Sequence, residues 1–139
     1  MVDNPDDQTL RRILAETRTV AVVGASDKPA RPSNEIYTYL LKTGLFQVFP
    51  VNPTITDIAG ARVYPTLADL PVVPDMVDVF RRVDDLPSVL DDVLALQPLP
   101  KTLWLQEGLW HDEVGARASE AGLQVVMDRC LMVEHARLR

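Results

Sequence analysis

The sequence predicts an α/β domain built on a doubly wound, mainly parallel sheet of five to six strands with helices on both faces. Two observations carry this. Short runs rich in valine and leucine recur along the chain, continuous in apolarity as strands buried on both faces are. Between them lie segments of about ten or more residues with helical signals, long enough for the right-handed crossovers that join parallel strands. The length of 139 residues favours a single domain over the whole chain, since one hydrophobic core commonly serves about 100–200 residues.

Each element has its own signal. Leu10, Ile13, Leu14 and Thr17 fall at helical spacing and predict a short amphipathic helix in an N-terminal extension spanning 1–18. The run at 19–24, ending in Gly24, reads as the first strand. After a polar loop, Ser33 is placed to cap a helix over 33–43, with Ile36, Tyr39 and Leu40 facing inward and Gly44 as its stop. The second strand covers 46–52, and Pro50 implies a bulge or an edge position because it removes a ladder donor. Arg62-Val63-Tyr64 forms a short segment, and Thr66 can cap one turn through Asp69. A strand at 75–80 precedes a helix opened by Asp84-Asp85, whose Leu86, Val89, Leu90, Val93 and Leu94 make an inward stripe. A strand at 102–106, a helix at about 111–121 stopped by Gly122, and a strand at 123–127 complete the pattern. The alternation is Rossmann-like.

Charge and cysteine content exclude several function classes. The longest apolar run is far short of the roughly 20 residues that span a membrane, and the start, Met1-Val2-Asp3-Asn4-Pro5-Asp6-Asp7, is acidic where an export signal is basic. A cytoplasmic protein is expected. Cys130 is the sole cysteine, so neither an internal disulfide nor a structural zinc site is supported. The net charge of −6 repels nucleic acid and anionic membranes, and any anionic ligand must be met by a local group of cations.

Such a group is predictable from topology. Ligands of doubly wound sheets bind beyond the carboxyl ends of the strands, near the point where strand order reverses. The residues there are Gly24-Ala25-Ser26 with Lys28 and Arg31, Asn52-Pro53, Arg81-Arg82, Glu107-Gly108, and Asp128-Arg129-Cys130. Five of the 14 basic residues thus collect at one rim of an acidic chain, which points to a phosphate-bearing ligand. Gly24 lets backbone approach a phosphate, and turn N–H groups with the Ser26 and Ser33 hydroxyls can donate to it. No G-x-G-x-x-G is present, and a lone glycine at a strand end also serves as an ordinary turn residue. An NAD site expects Asp or Glu after the second strand to hold the ribose hydroxyls, but Asn52-Pro53 stands there. An NADP site wants a nearby cation, and the next in sequence is Arg62.

Six blocks in order carry a resemblance to a known family: Val22-Val23-Gly24-Ala25-Ser26, Arg31-Pro32-Ser33, Val51-Asn52-Pro53, Asp78-Val79-Phe80-Arg81, Trp104-Leu105-Gln106-Glu107-Gly108 and Met127-Asp128-Arg129-Cys130. Over about residues 19–135 the chain resembles the small, stand-alone bacterial CoA-binding proteins, whose domain is similar to the CoA-binding domain of the succinyl-CoA synthetase α-subunit. The resemblance implies coenzyme A or an acyl-CoA along the strand ends, with Gly24, Ala25 and Ser26 at phosphate. Asn52 and Pro53 would lie near the adenine-ribose end, and Arg31 and Arg81 would be charge partners. Lys28, Ser33, Gly108 and Arg129 complete the expected binding set. The synthetase's phosphohistidine domain has no counterpart in this chain, so catalysis does not carry over.

No catalytic or metal-binding set stands out. His111 and His135 are far apart without a nucleophile motif, and His111 reads as a helix-start surface residue. Cys130 next to Arg129 is a thiol beside a cation, which favours the thiolate where exposed and makes a mixed disulfide with the CoA thiol conceivable; an inert packed cysteine is the plainer alternative. Trp104 and Trp110 can stack on a ligand or pack in the core, and the pairs Asp84-Asp85 and Asp91-Asp92 read as a cap and a solvated face.

Three function classes follow. The first is a CoA-binding module, non-catalytic or regulatory, with a homodimer or a protein partner left open. The second is an NAD(P)-dependent enzyme, and the third an interaction protein with a vestigial nucleotide crevice. Ligand competition separates the first two, and the absence of any nucleotide response identifies the third.

Overall fold

The computed structural model describes residues 3–139. Five parallel strands form the sheet: β1 (Thr19–Val23), β2 (Gln47–Val51), β5 (Met76–Val79), β6 (Thr102–Leu105) and β7 (Gln124–Val126), in the order β2-β1-β5-β6-β7. Between β2 and β5 a two-residue antiparallel hairpin, β3 (Asp57–Ile58) and β4 (Ala61–Arg62), extends from the loop. Helices α1 (Asp7–Glu16), α2 (Pro32–Thr43), α3 (Leu86–Leu94), α4 (Asp112–Glu120) and α5 (Leu131–Leu138) surround the sheet. This is the Rossmann-like α/β architecture expected, and its order reverses between β1 and β5.

The alternation of side chains explains why the strands read as unbroken apolar runs. On one face Ala21, Val23, Val77, Val79, Leu103 and Leu105 meet the Leu86, Val89, Leu90 and Val93 stripe of α3, with Val114 and Ala118 of α4. On the other, Val20, Val22, Met76, Trp104 and Val126 meet α1, α2 and α5 through Leu10, Ile13, Ile36, Tyr37, Leu40 and Leu131. Both faces are covered, so the strand interiors are mostly apolar regardless of parity, with Thr19, Gln47, Thr102 and Gln124 at the strand starts. Trp104 is fully buried, and its indole N–H donates to the Arg129 carbonyl at 2.9 Å. The one charged residue in these strands is Asp78, also fully buried, paired in register between Val22 and Trp104.

Edges are managed locally. Pro50 is tolerated because β2 is an edge strand. At the opposite edge, the Asn4 side chain donates to the Met127 carbonyl and accepts from the Met127 N–H, at 2.8 and 2.7 Å, so an amide side chain substitutes for a neighbouring strand. Among the described residues no helix is long and apolar enough to cross a membrane.

Four local expectations are corrected. Ser33 is not the cap of α2: Arg31 holds that position, Pro32 opens the helix, and Ser33 is buried inside the first turn. Tyr37, not Tyr39, faces the core with Ile36 and Leu40, and Tyr39 uses its hydroxyl on His135 instead. The pair Asp84-Asp85 lies in a 3-10 turn (Val83–Asp85) that precedes α3. Helix α5 was not foreseen, because its cap residue Cys130 has no side-chain hydrogen bond and Val133 on it is exposed.

Candidate functional site

The reversal point brings β1 and β5 side by side, and the backbone there is very tight. Gly24 has φ +87°, and a Cβ on it would sit 2.1 Å from the Phe80 carbonyl oxygen. Only glycine satisfies both the left-handed conformation and the contact. Beyond this crossing the carboxyl ends of the strands open into three clefts that share walls. The first, about 440 Å³, is lined by Gly24, Ala25, Ser26, Lys28, Arg31, Ser33 and Asn52, among others. The second, about 550 Å³, contains Arg81, Arg82, Gln106, Glu107 and Cys130, and shares Pro32 and Phe80 with the first. A third of about 200 Å³ holds Pro53 and shares Arg81 and Asp85 with the second.

The β1–α2 loop is held in place by side chains. Asn34 Nδ2 donates to the Ser26 carbonyl at 2.8 Å, and Ser26 Oγ accepts from the Lys28 N–H at 3.1 Å. The Gly24 and Ala25 N–H groups both donate to the Val51 carbonyl, at 2.9 and 3.3 Å. They are therefore committed to the β2 end and not to a ligand. One donor remains at the start of α2: Arg31 offers no side-chain cap, Pro32 has no N–H, and the Arg31 and Asn34 N–H groups donate to the Lys28 and Arg31 carbonyls at 3.0 and 3.1 Å, which leaves the Ser33 N–H. Ser33, with the positive end of the helix dipole, lines the first cleft alongside Arg31 and Pro32.

Asn52 is a latch. Its Nδ2 donates to the Ala25 carbonyl at 2.7 Å, while Oδ1 accepts from the Thr54 N–H and hydroxyl at 2.8 and 2.7 Å. An ionised carboxylate has no donor for the Ala25 carbonyl, which accounts for asparagine where a dinucleotide site expects a carboxylate.

The cations divide into two groups. Lys28 and Arg31 line the first cleft, and Arg81 and Arg82 the second, with Arg81 Cδ packed near Gly24. Asp85 pairs with Arg81 at 3.4 Å and Arg82 at 3.6 Å. These are partly exposed pairs of modest strength that leave guanidinium donors over. Arg129 and Gly108 line none of the three clefts. Arg129 lies 3.8 Å from Glu134 and donates to the Asp128 carbonyl, and the Gly108 N–H donates to Asp128 Oδ1 at 2.7 Å. The two strand-end loops there bind each other; Lys28, Arg31 and Arg81 lie along the clefts, and Arg129 and Gly108 do not line them.

Two residues had no assigned role in the sequence reading. Gln106 is buried in the wall of the second cleft, where its Oε1 accepts from the Leu131 N–H at 3.1 Å and fixes the start of α5 beside Cys130. Asp78 lies on the same sheet face, two residues before Phe80, with neither carboxyl oxygen hydrogen-bonded. Burial holds its proton on well above the ordinary carboxylate range. His111 is the cap of α4, its Nδ1 accepting from the Val114 N–H at 3.1 Å.

Known proteins give this geometry its family. YneT of Bacillus subtilis (strain 168) is 34% identical over 135 residues, which is 97% of this chain and 98% of that one. The Thermus thermophilus structure called cell-free ID.343 superposes with a TM-score of 0.89 at 42% identity, covering 97% of this chain and all of that one. A dinucleotide-forming acetyl-coenzyme A synthetase 1 from Ca. Korarchaeum cryptofilum, in complex with phosphate and ADP, matches at TM-score 0.71 and 27% identity, over 79% of this chain but 25% of its own. Residues 18–136 match the profile of the CoA binding domain family CoA_binding_2, and the chain belongs to that family.

Proposed function

We propose that the protein binds coenzyme A or an acyl-CoA across the first two clefts, as a binding or regulatory module in the cytoplasm without chemistry of its own. One observation carries the reading: the clefts join at the Gly24–Phe80 crossing with Lys28 and Arg31 on one side and Arg81 and Arg82 on the other. CoA carries a pyrophosphate and a 3′-phosphate, and two separated cation pairs match two separated anionic groups. The start of α2 supplies the Ser33 N–H and the helix dipole to the pyrophosphate, with the Ser26 and Ser33 hydroxyls nearby. The pantetheine arm follows the second cleft past Phe80 and Ile36 toward Cys130.

Calorimetric competition tests this. CoA is expected to bind more tightly than NAD or NADP, and Arg31→Ala and Arg81→Ala to weaken it by about tenfold each, the usual worth of one charge-assisted contact. NAD or NADP displacing CoA would establish the dinucleotide reading, and no response to any nucleotide would leave the crevice vestigial.

A further inference from the structure

At the opposite pole, by the amino ends of β1 and β2, lies a cavity of about 610 Å³. Its floor is apolar, formed by Leu14, Leu45, Phe46 and Leu138, and Arg11, Arg18 and Arg139 stand around it. No Asp or Glu lines it, although acids outnumber bases by 20 to 14 in the chain. None of these three arginines is in a salt bridge among the described residues, whereas Arg137 close by in sequence is held by both Asp7 and Glu134. Asp75, next to Arg18 in space, is committed to the Arg18 and Thr19 backbone N–H groups at 2.8 and 3.2 Å.

The guanidinium groups are oriented without being used up. Arg11 Nε donates to the Leu138 carbonyl at 3.3 Å, and Arg18 Nη1 donates to the Ala15 carbonyl at 2.7 Å. Each retains further N–H donors of its five. His135 completes the wall. It is 5% exposed, its Nδ1 is bonded to the Tyr39 hydroxyl at 2.7 Å, and the Tyr39 and Phe46 rings pack edge-on against it. Its Nε2 has no protein partner, yet only Asp78 has sealed, unpartnered side-chain atoms among the described residues. Nε2 therefore opens onto the cavity. In the tautomer in which Tyr39 donates to Nδ1, the ring proton sits on Nε2, on the cavity side.

We propose that this cavity is a second ligand site, for a small amphipathic carboxylate whose apolar body rests on Leu14, Leu45, Phe46 and Leu138. Its carboxylate meets the guanidinium groups of Arg11 and Arg18 and accepts a hydrogen bond from His135 Nε2. An apolar floor excludes a bare inorganic anion as the best fit, and guanidinium forks match a carboxylate bidentately. The site is separate from the CoA clefts and does not depend on that reading.

The test is an NMR titration of the whole protein with octanoate, and in parallel with octan-1-ol. Saturable octanoate binding is expected, with shifts at Arg18, Phe46 and His135. Octan-1-ol, and octanoate on the Arg11→Ala/Arg18→Ala variant, should each bind about tenfold more weakly, the loss of one charge-assisted contact or more. CoA binding by that variant should be unchanged. Equal binding of acid and alcohol by the unaltered protein would overturn the proposal, as would shifts confined to the carboxyl rim or no saturation at millimolar octanoate. A dimer that rejects octanoate, and whose dilution shifts the Phe46 and His135 resonances, would assign the face to a second copy and also overturn it.

Discussion

Asp78→Asn should change how stability depends on pH. The carboxyl group is fully buried without a hydrogen bond, and its proton is held well above the ordinary value of 3.8 because burial disfavours the charge. In the unfolded chain water restores a value of about 3.9. Between those two values the folded state keeps a proton that the unfolded state has lost, so this group's contribution to stability falls as pH rises and levels off above the folded value. One proton amounts to about 1.4 kcal/mol per pH unit, which bounds the slope of this group's contribution above the unfolded value. Asparagine keeps the shape and removes the titration, while retaining an unsatisfied polar cost of about 1–3 kcal/mol. Asp78→Val removes both costs and should raise stability at pH 7. Urea unfolding of the three proteins at intervals from pH 5 to 7.5 reads this directly. Expected is a profile for the unaltered protein that falls more steeply with rising pH than that of Asp78→Asn, by at most about 1.4 kcal/mol per unit. Parallel profiles would refute the reasoning, since they would mean that the folded carboxyl is ionised or hydrated.

Further predictions concern the reversal point and its surroundings. Gly24→Ala places a Cβ 2.1 Å from the Phe80 oxygen at positive φ and should destabilise by about 3 kcal/mol or more, read as a fall in the denaturation midpoint. Asn52→Asp loses the donor to the Ala25 carbonyl, and thermal unfolding should show a loss of about 1–3 kcal/mol without any gain in NAD affinity. Arg129→Ala should leave CoA affinity within about twofold by calorimetry, against about tenfold for Arg81→Ala, because only Arg81 lines the clefts.

The fold was legible because its signals are local and redundant. Two-sided burial makes each strand of the sheet a short apolar run, and α3 announces itself through Leu86, Val89, Leu90 and Val93. Helix α5 was illegible because its packing partners, α1 and α2, are distant in sequence and its cap is a cysteine. The cap of α2 was misplaced by two residues because Ser33 has the better capping chemistry but is buried by tertiary packing, which leaves Arg31 as the cap. Within the site, topology alone placed Gly24, Lys28, Arg31 and Arg81 at one rim. It could not show that Asn52 is consumed by Ala25 and Thr54, or that Arg129 turns toward Glu134, because those partners are set by side-chain directions and not by position along the chain. Asp78 sat in plain view within an apolar strand, and its significance lies in lacking a partner, which only three dimensions reveal.

The central claim is that CoA occupies the crevice where β1 and β5 diverge. An amide and side-chain NMR titration with CoA tests it most directly: resonances of Ser26, Arg31, Ser33, Phe80 and Arg81 should shift together along one saturable curve, with Arg18 and His135 unmoved. Saturable shifts that cluster away from Gly24 and Phe80, or none at all, would contradict it.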